Sequence, residues 1–206
     1  MKFDRLWQAC KPYLRKGRSI DLIHTRISTD FAWRLLREGA GGDTDIVIPA
    51  VMLHDIGYAR IDDGDVYMKT TFPDKANAKY DTRVKERHLT EGAKLAEEIL
   101  RSLDYPQGLI GPIVEIVRTH EDLEGNKPDT TNLNRVIVSD ADKLYRYTAY
   151  NLTSGMALHH RTKAQIYHFM LDRIDTWLSL EISKRIAIEE LRKLPFDFWP
   201  VNEALF

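Results

Sequence analysis

Cysteine is almost absent from this chain, Cys10 being the only one. A single thiol excludes a disulfide framework and any Cys-rich zinc site. It is expected to be a packing residue, and a reducing, cytoplasmic setting is the expectation that follows. Net charge is equally scarce: 30 Lys and Arg against 31 Asp and Glu leave −1 overall. No global field can steer such a chain to nucleic acid or to an anionic membrane, so any recognition of phosphate has to be local. Long apolar runs are missing too, and no window reaches the length a membrane span requires. The N-terminal MKFDRLWQACKPYLRKGR, with charges scattered through it, reads as neither a signal peptide nor an anchor. Sustained apolar–polar alternation, internal repeats and low-complexity tracts are also lacking, so strands should be few.

What is there is ordinary globular material. With 206 residues, 43% hydrophobic and 30% charged, the chain can bury a substantial core, and one domain is the default. Apolar residues recur at three- and four-residue steps, the signature of amphipathic helices. Ile20, Ile23, Ile27, Phe31 and Leu35 predict a helix over about 19–38, ended by Gly39, Gly41 and Gly42. Asp45 is the expected cap of a second helix that stops near Gly57, with His54 and Asp55 in its last turn. Residues 62–85 lack an apolar face and read as a long polar excursion, of the kind that often covers a site. It mixes aromatic and basic groups (Tyr67, Lys69, Phe72, Lys75, Tyr80, Arg83, Lys85) as a nucleotide pocket does, and as an ordinary exposed loop also does. Its DDGD at 62–65 lacks the later ligand positions of a calcium loop. Further helices are expected over about 86–103, 107–122 and 131–149, with one long or two shorter helices over 161–193.

The histidines carry the chemistry. His24, His54, His88 and His120 fall one per predicted helix, several on or beside the apolar face; His120 follows Ile113, Ile116 and Val117 on one stripe. One inward histidine is usually a hydrogen-bonded core residue. Several together with carboxylates are most simply reconciled by a metal ion, because buried imidazoles need partners. His159, His160 and His168 show no such placement. The adjacent pair His54-Asp55, in VMLHDIGYAR, can face one ion only from beside a helix end, since neighbouring helical residues diverge by about 100°. A second carboxylate comes from SDADKL, where periodicity leaves Asp140 and Asp142 equally open.

The order His24, then LHDIG, then a distant Asp in DADKL resembles the HD-domain superfamily of metal-dependent phosphohydrolases, over about residues 20–150. His88 in RHLTEGAKLAEEIL and His120 in VRTHE are similar to its subset with a two-metal centre. The resemblance implies an all-α helical bundle as a single domain over 1–206, closed by C-terminal helices at 155–206. It implies that His24, His54, Asp55 and Asp142 bind a first metal, and that Asp55 bridges to a second held by His88 and His120. Asp142 is preferred to Asp140 because the family's aspartate precedes a basic and an apolar residue, here Lys143 and Leu144. Many members carry an acidic residue shortly after the His-Asp pair; this chain has Gly57, Tyr58 and Ala59 there, which leaves the proton donor unassigned.

A mixed His/carboxylate set suits one or two ions of Fe, Mn, Co, Ni or Zn better than Mg or Ca. Two such ions, with a metal-bound hydroxide, can hydrolyse a phosphomonoester or phosphodiester of a small phosphorylated metabolite such as a nucleotide. Asp55 and Lys143 are the expected catalytic residues, and Lys143 and Arg146 the expected phosphate contacts. The resemblance supports Lys143 in that role, whereas Arg146, four residues beyond Asp142, equally fits a solvated surface charge. The alternatives are a di-iron oxygenase of the same superfamily, which would use the same ligands, and a non-catalytic regulatory module with a structural metal. The latter is disfavoured by the shortage of Cys. The sequence leaves a homo-oligomer open.

Overall fold

The computed structural model describes residues 2–61, 78–121, 130–152 and 162–194. The protein is all-α, and the described residues contain no strand. No helix among them is long and apolar enough to cross a membrane.

The first helix, α1 (Lys2–Lys16), was not foreseen from apolar periodicity. Its fully buried stripe is only Leu6, Cys10 and Leu14 at four-residue spacing, with Phe3, Trp7, Ala9 and Tyr13 partly buried against the core and Pro12 inside the helix. Burial pushes the Cys10 thiol up, which makes it an unreactive packing group as expected. The second helix, α2 (Asp21–Arg37), buries His24, Ser28, Phe31, Ala32 and Leu35 along one side. It ends where Gly39 takes φ +98°, a left-handed conformation that glycine adopts without a Cβ penalty.

Helix α3 (Thr44–Leu53) is buried at every position from Val47 to Leu53, as befits the central helix of a bundle; it packs against α1 and α2 and two later helices. Its cap is Asp43, not the expected Asp45: Asp43 has extended backbone, and its carboxylate accepts from the Asp45 N–H at 2.8 Å. The helix closes at His54, so Asp55 lies just beyond it and opens a 3-10 turn, Ile56–Arg60.

Helix α4 (Ala78–Ser102) begins within the expected excursion. Its opening AKYDTR holds good helix formers but no apolar stripe, so periodicity could not reveal it. The rest of the excursion, including Tyr67, Lys69, Phe72, Lys75 and the DDGD segment, lies outside the described residues. Helix α5 (Gln107–Thr119) and helix α6 (Leu133–Leu144) complete the packing around α3, and a 3-10 turn, Tyr145–Tyr147, follows α6 directly. The closing stretch is two helices, α7 (Lys163–Trp177), which opens with a Thr162/Gln165 capping box, and α8 (Glu181–Arg192). The break between them is held by Asp140, whose buried carboxylate accepts from the N–H groups of Ser179 at 3.0 Å and Leu180 at 2.9 Å. Residues 155–161 and 195–206 of the expected C-terminal part lie outside the described residues, with His159 and His160 among them.

The 3-10 turn meets α4 so closely that a Cβ on Gly57 would lie 1.9 Å from the His88 carbonyl oxygen and 2.5 Å from Gly92 N. Only glycine fits, and that contact sets His88 beside the end of α3. It also explains why no acidic side chain can stand at position 57.

Candidate metal centre

Five helices deliver six donor side chains to one buried place. His24 comes from α2, His54 from the end of α3 with Asp55 after it, His88 from α4, His120 from the end of α5 and Asp142 from α6. None of the six is more than 8% exposed.

On one side, His24 Nε2 lies 2.9 Å from His54 Nε2 and 3.0 Å from Asp142 Oδ1. Asp55 Oδ2 is 3.2 Å from His24 Nε2 and 3.3 Å from His54 Nε2. On the other side, Asp55 Oδ1 is 3.8 Å from His88 Nε2 and 3.9 Å from His120 Nε2. Asp140, which periodicity left level with Asp142, faces the α7–α8 break instead.

Ring orientation follows from the helix ends. His54 Nδ1 donates to the Val51 carbonyl at 2.7 Å, and His120 Nδ1 donates to the Val117 carbonyl at 2.8 Å. A carbonyl can only accept, so Nδ1 carries the proton and a neutral ring presents the Nε2 lone pair to the cluster. The His24 ring stands edge-on to Tyr145, with centroids 4.5 Å apart, and His88 is stacked on Tyr58 at 4.3 Å and 7°.

The electrostatics split the histidines. Burial opposes the charge on His24 and His54, but the carboxylates of Asp142 and Asp55 outweigh it and raise both pKa values. Their facing Nε2 atoms leave room for one proton between them. Burial pulls His88 down to about 4 and lowers His120. Burial also works against the charges of Asp55 and Asp142, yet the histidines, with Arg18 in the case of Asp55, hold both carboxyls well below the usual range.

Both ring nitrogens of His88 and Nε2 of His120 are buried without a hydrogen bond. Orphaned buried nitrogens are costly in a folded protein, and here they converge with carboxylates. That donor set, all nitrogen and oxygen, fits a divalent transition metal. His24, His54 and Asp142 form one group with metal-binding spacing, His54, Asp55 and His120 another, and His88, His120 and Glu121 a third.

Lys143 follows Asp142, half-buried. Arg146 is not brought to the cluster: its guanidinium lies over the Trp177 ring of α7 at 4.9 Å.

Four neighbours were missed. Arg18 bonds Asp55 Oδ2 and Asp21 Oδ1, each at 2.6 Å; its signal was the three-residue step Arg18, Asp21, His24 at a helix start. Glu121 follows His120 as Asp55 follows His54, and that repetition was readable. Burial raises its pKa, but His88, Lys85 and His120 bring it below its ordinary value. Tyr58 and Tyr145 left no signal.

Fold and site together define an all-helical protein built to hold divalent metal. A family model of the HD domain matches residues 22–147, more than half of the chain, and the protein belongs to the HD-domain family. Members of that family are generally metal-dependent hydrolases, and HD domains bind divalent metals. No curated protein and no solved structure matches the chain.

Proposed function

We propose that this protein is a metal-dependent phosphohydrolase that cleaves a phosphomonoester or phosphodiester of a small metabolite, a nucleotide being the first class to test. Asp55 carries the reading: Oδ2 faces His24 and His54, while Oδ1 faces His88 and His120. One carboxylate presented in this way suits a pair of ions. Bound there, divalent Fe, Mn, Co, Ni or Zn supplies Lewis acidity to a phosphate and lowers the pKa of water.

The chain's own groups do the rest. His54 and His120 are pre-oriented by backbone carbonyls, which spares the site the cost of ordering them. Asp55 and Asp142 stay ionised and supply negative charge. Lys143, next to Asp142, is assigned to the substrate phosphate, whereas Arg146 is occupied by Trp177 and is not retained in that role. A net charge of −1 favours a small substrate over a nucleic acid.

The test is a panel of phosphate esters assayed without oxygen on protein reconstituted with Mn or Ni. Phosphate release is expected, with Lys143→Ala impairing affinity or turnover at unchanged metal content. Turnover that needs both iron and oxygen, with no phosphate from any ester, would replace this reading with a di-iron oxygenase.

A further inference from the structure

The chain builds the same local device twice. His54 and His120 are each the C-terminal cap of a helix, at φ −57° and −68°. Each donates Nδ1–H to the carbonyl three residues earlier, so each Nε2 turns to the cluster. The residue after each leaves the helix carrying a carboxylate, Asp55 in one case and Glu121 in the other. Both carboxylates stand at the negative end of a helix dipole, where a cation is favoured.

The two sides of the cluster are unequally supplied. His24 and His54 have Asp142 within 3.6 Å in addition to Asp55 Oδ2. His88 and His120 face the other oxygen of Asp55, at 3.8 and 3.9 Å. Two neutral imidazoles and a shared carboxylate are a thin donor set for a divalent ion. Glu121 makes good the shortage: ligand atoms of His88, His120 and Glu121 all lie within 4.8 Å of one another. Glu121 Oε2 is buried and makes no hydrogen bond, as is true of both His88 nitrogens and His120 Nε2. Among the described residues the cation paired with it is Lys85, whose Nζ lies 3.5 Å away on a side chain 43% exposed.

We propose that Glu121 is a metal ligand dedicated to the second ion, completing with His88, His120 and Asp55 Oδ1 a subsite for divalent Mn, Fe, Co, Ni or Zn. This rests on the metal-dependent reading above and adds a coordinating residue to it. The subsite has its own carboxylate, so its affinity is set independently of Asp142. A bound ion displaces Lys85 as the countercharge of Glu121.

Chelator-stripped full-length protein is titrated with Mn(II) alone, with bound ions counted by calorimetry and by electron paramagnetic resonance. The wild type is expected to bind two ions with a spin-coupled signal. Glu121→Gln should leave the first ion unchanged and weaken the second by more than about a hundredfold, beyond the roughly 10–100-fold that loss of an outer-shell partner costs, with the coupled signal lost. His88→Ala is the positive control for that loss. Glu121→Asp, which keeps the charge but draws it back, should weaken the second ion less, and answers if Glu121→Gln does not fold. Two ions bound with wild-type affinity in both Glu121 variants would overturn the proposal, even if activity fell, and would leave the hydrolase reading standing. A wild type that takes up a single ion, lost in His54→Ala, overturns the second subsite alone; one that takes up none overturns both.

Discussion

The Arg18 guanidinium grips two buried carboxylates at once, Asp55 Oδ2 through Nη2 and Asp21 Oδ1 through Nε, each at 2.6 Å. Its flat face lies 3.7 Å over Tyr58, which also stacks on the ring of His88. One side chain from the loop before α2 thereby ties together the end of α3, the 3-10 turn and α4. Arg is suited to this because its planar fork can bond two acceptors while stacking on a ring.

Loss of Arg18 should therefore be felt most in the metal-free protein. Arg18→Ala leaves Asp21 and Asp55 without their buried cation, a change that typically costs about 3–5 kcal/mol. A divalent ion supplies replacement charge at Asp55, so saturating Mn should recover much of the deficit by binding the folded state. Thermal melts with chelator and with Mn make the comparison. An equal loss under both conditions would mean that Arg18 acts only as a packing residue.

Gly57 and Gly92 face each other across the turn–α4 contact but should respond unequally. A Cβ on Gly57 collides with backbone of α4, which cannot rotate aside, whereas one on Gly92 would stand at ordinary contact distance, 3.4 Å from Val117 Cγ1 and 3.5 Å from Gly57 N. Gly57→Ala is expected to cost at least about 3 kcal/mol and to displace His88. Gly92→Ala should be close to neutral, since Ala favours a helix over Gly by about 0.5–1 kcal/mol. Denaturant unfolding of the two variants decides it; similar costs would show that the contact is not the constraint described.

The two aspartates of α6 should differ in metal binding. Asp142→Asn is expected to abolish tight binding at the His24–His54 side, and to lower the melting of metal-free protein as well because its carboxylate faces both imidazoles. Asp140→Asn removes the charged acceptor of Ser179 and Leu180 N–H, bonds of a kind worth about 1.5–3 kcal/mol each, while metal content should not change. If Asp140→Asn lost the metal and Asp142→Asn kept it, the ligand assignment would reverse.

The metal-free protein should be most stable near pH 6.5. His88, down at about 4, and His120, also lowered, are neutral when folded, but the unfolded chain binds those protons below about 6.5. Their contribution is thus present above that value and is lost as pH falls toward about 4. For His24 and His54, burial opposes the charge but the carboxylates raise the folded pKa. That contribution is complete below about 6.5 and is lost as pH rises through the raised folded value. Denaturation midpoints measured in chelator from about pH 5 to 9 should pass through a maximum; a steady rise across the range would contradict this assignment of protons.

Local pattern accounts for much of what could be read in advance. The cores of α2, α4, α5 and α6 were visible because their buried faces repeat at helical period, and the two closing helices because Ile166, Met170, Ile174 and Ile186 do the same. α1 escaped because its fully buried stripe is three residues long and carries Pro12 within it, and the start of α4 because its opening turns carry no apolar repeat. The donor residues stood out as inward histidines and an adjacent His-Asp pair, features that need only the geometry of one helix.

Which donors meet was decided by packing between elements far apart in sequence. Periodicity placed Asp140 and Asp142 level; the α6 interfaces turn Asp142 toward His24 and Asp140 toward the α7–α8 break. Arg18 and Glu121 sit at helix boundaries, where side-chain direction follows from the local exit of the chain and not from a repeat. Arg146 shared a helical face with Asp142 by spacing, but the chain leaves α6 at Leu144 for a 3-10 turn, and its guanidinium comes to lie on Trp177. The amino-acid order by itself determined the helices and the kinds of donor they carry, since both depend on interactions a few residues long. The pairing of Asp55 with two sets of histidines, and of Arg18 with Asp55 across 37 positions, exists only because Gly57 lets the turn close onto α4 and α3 is enclosed by its neighbours.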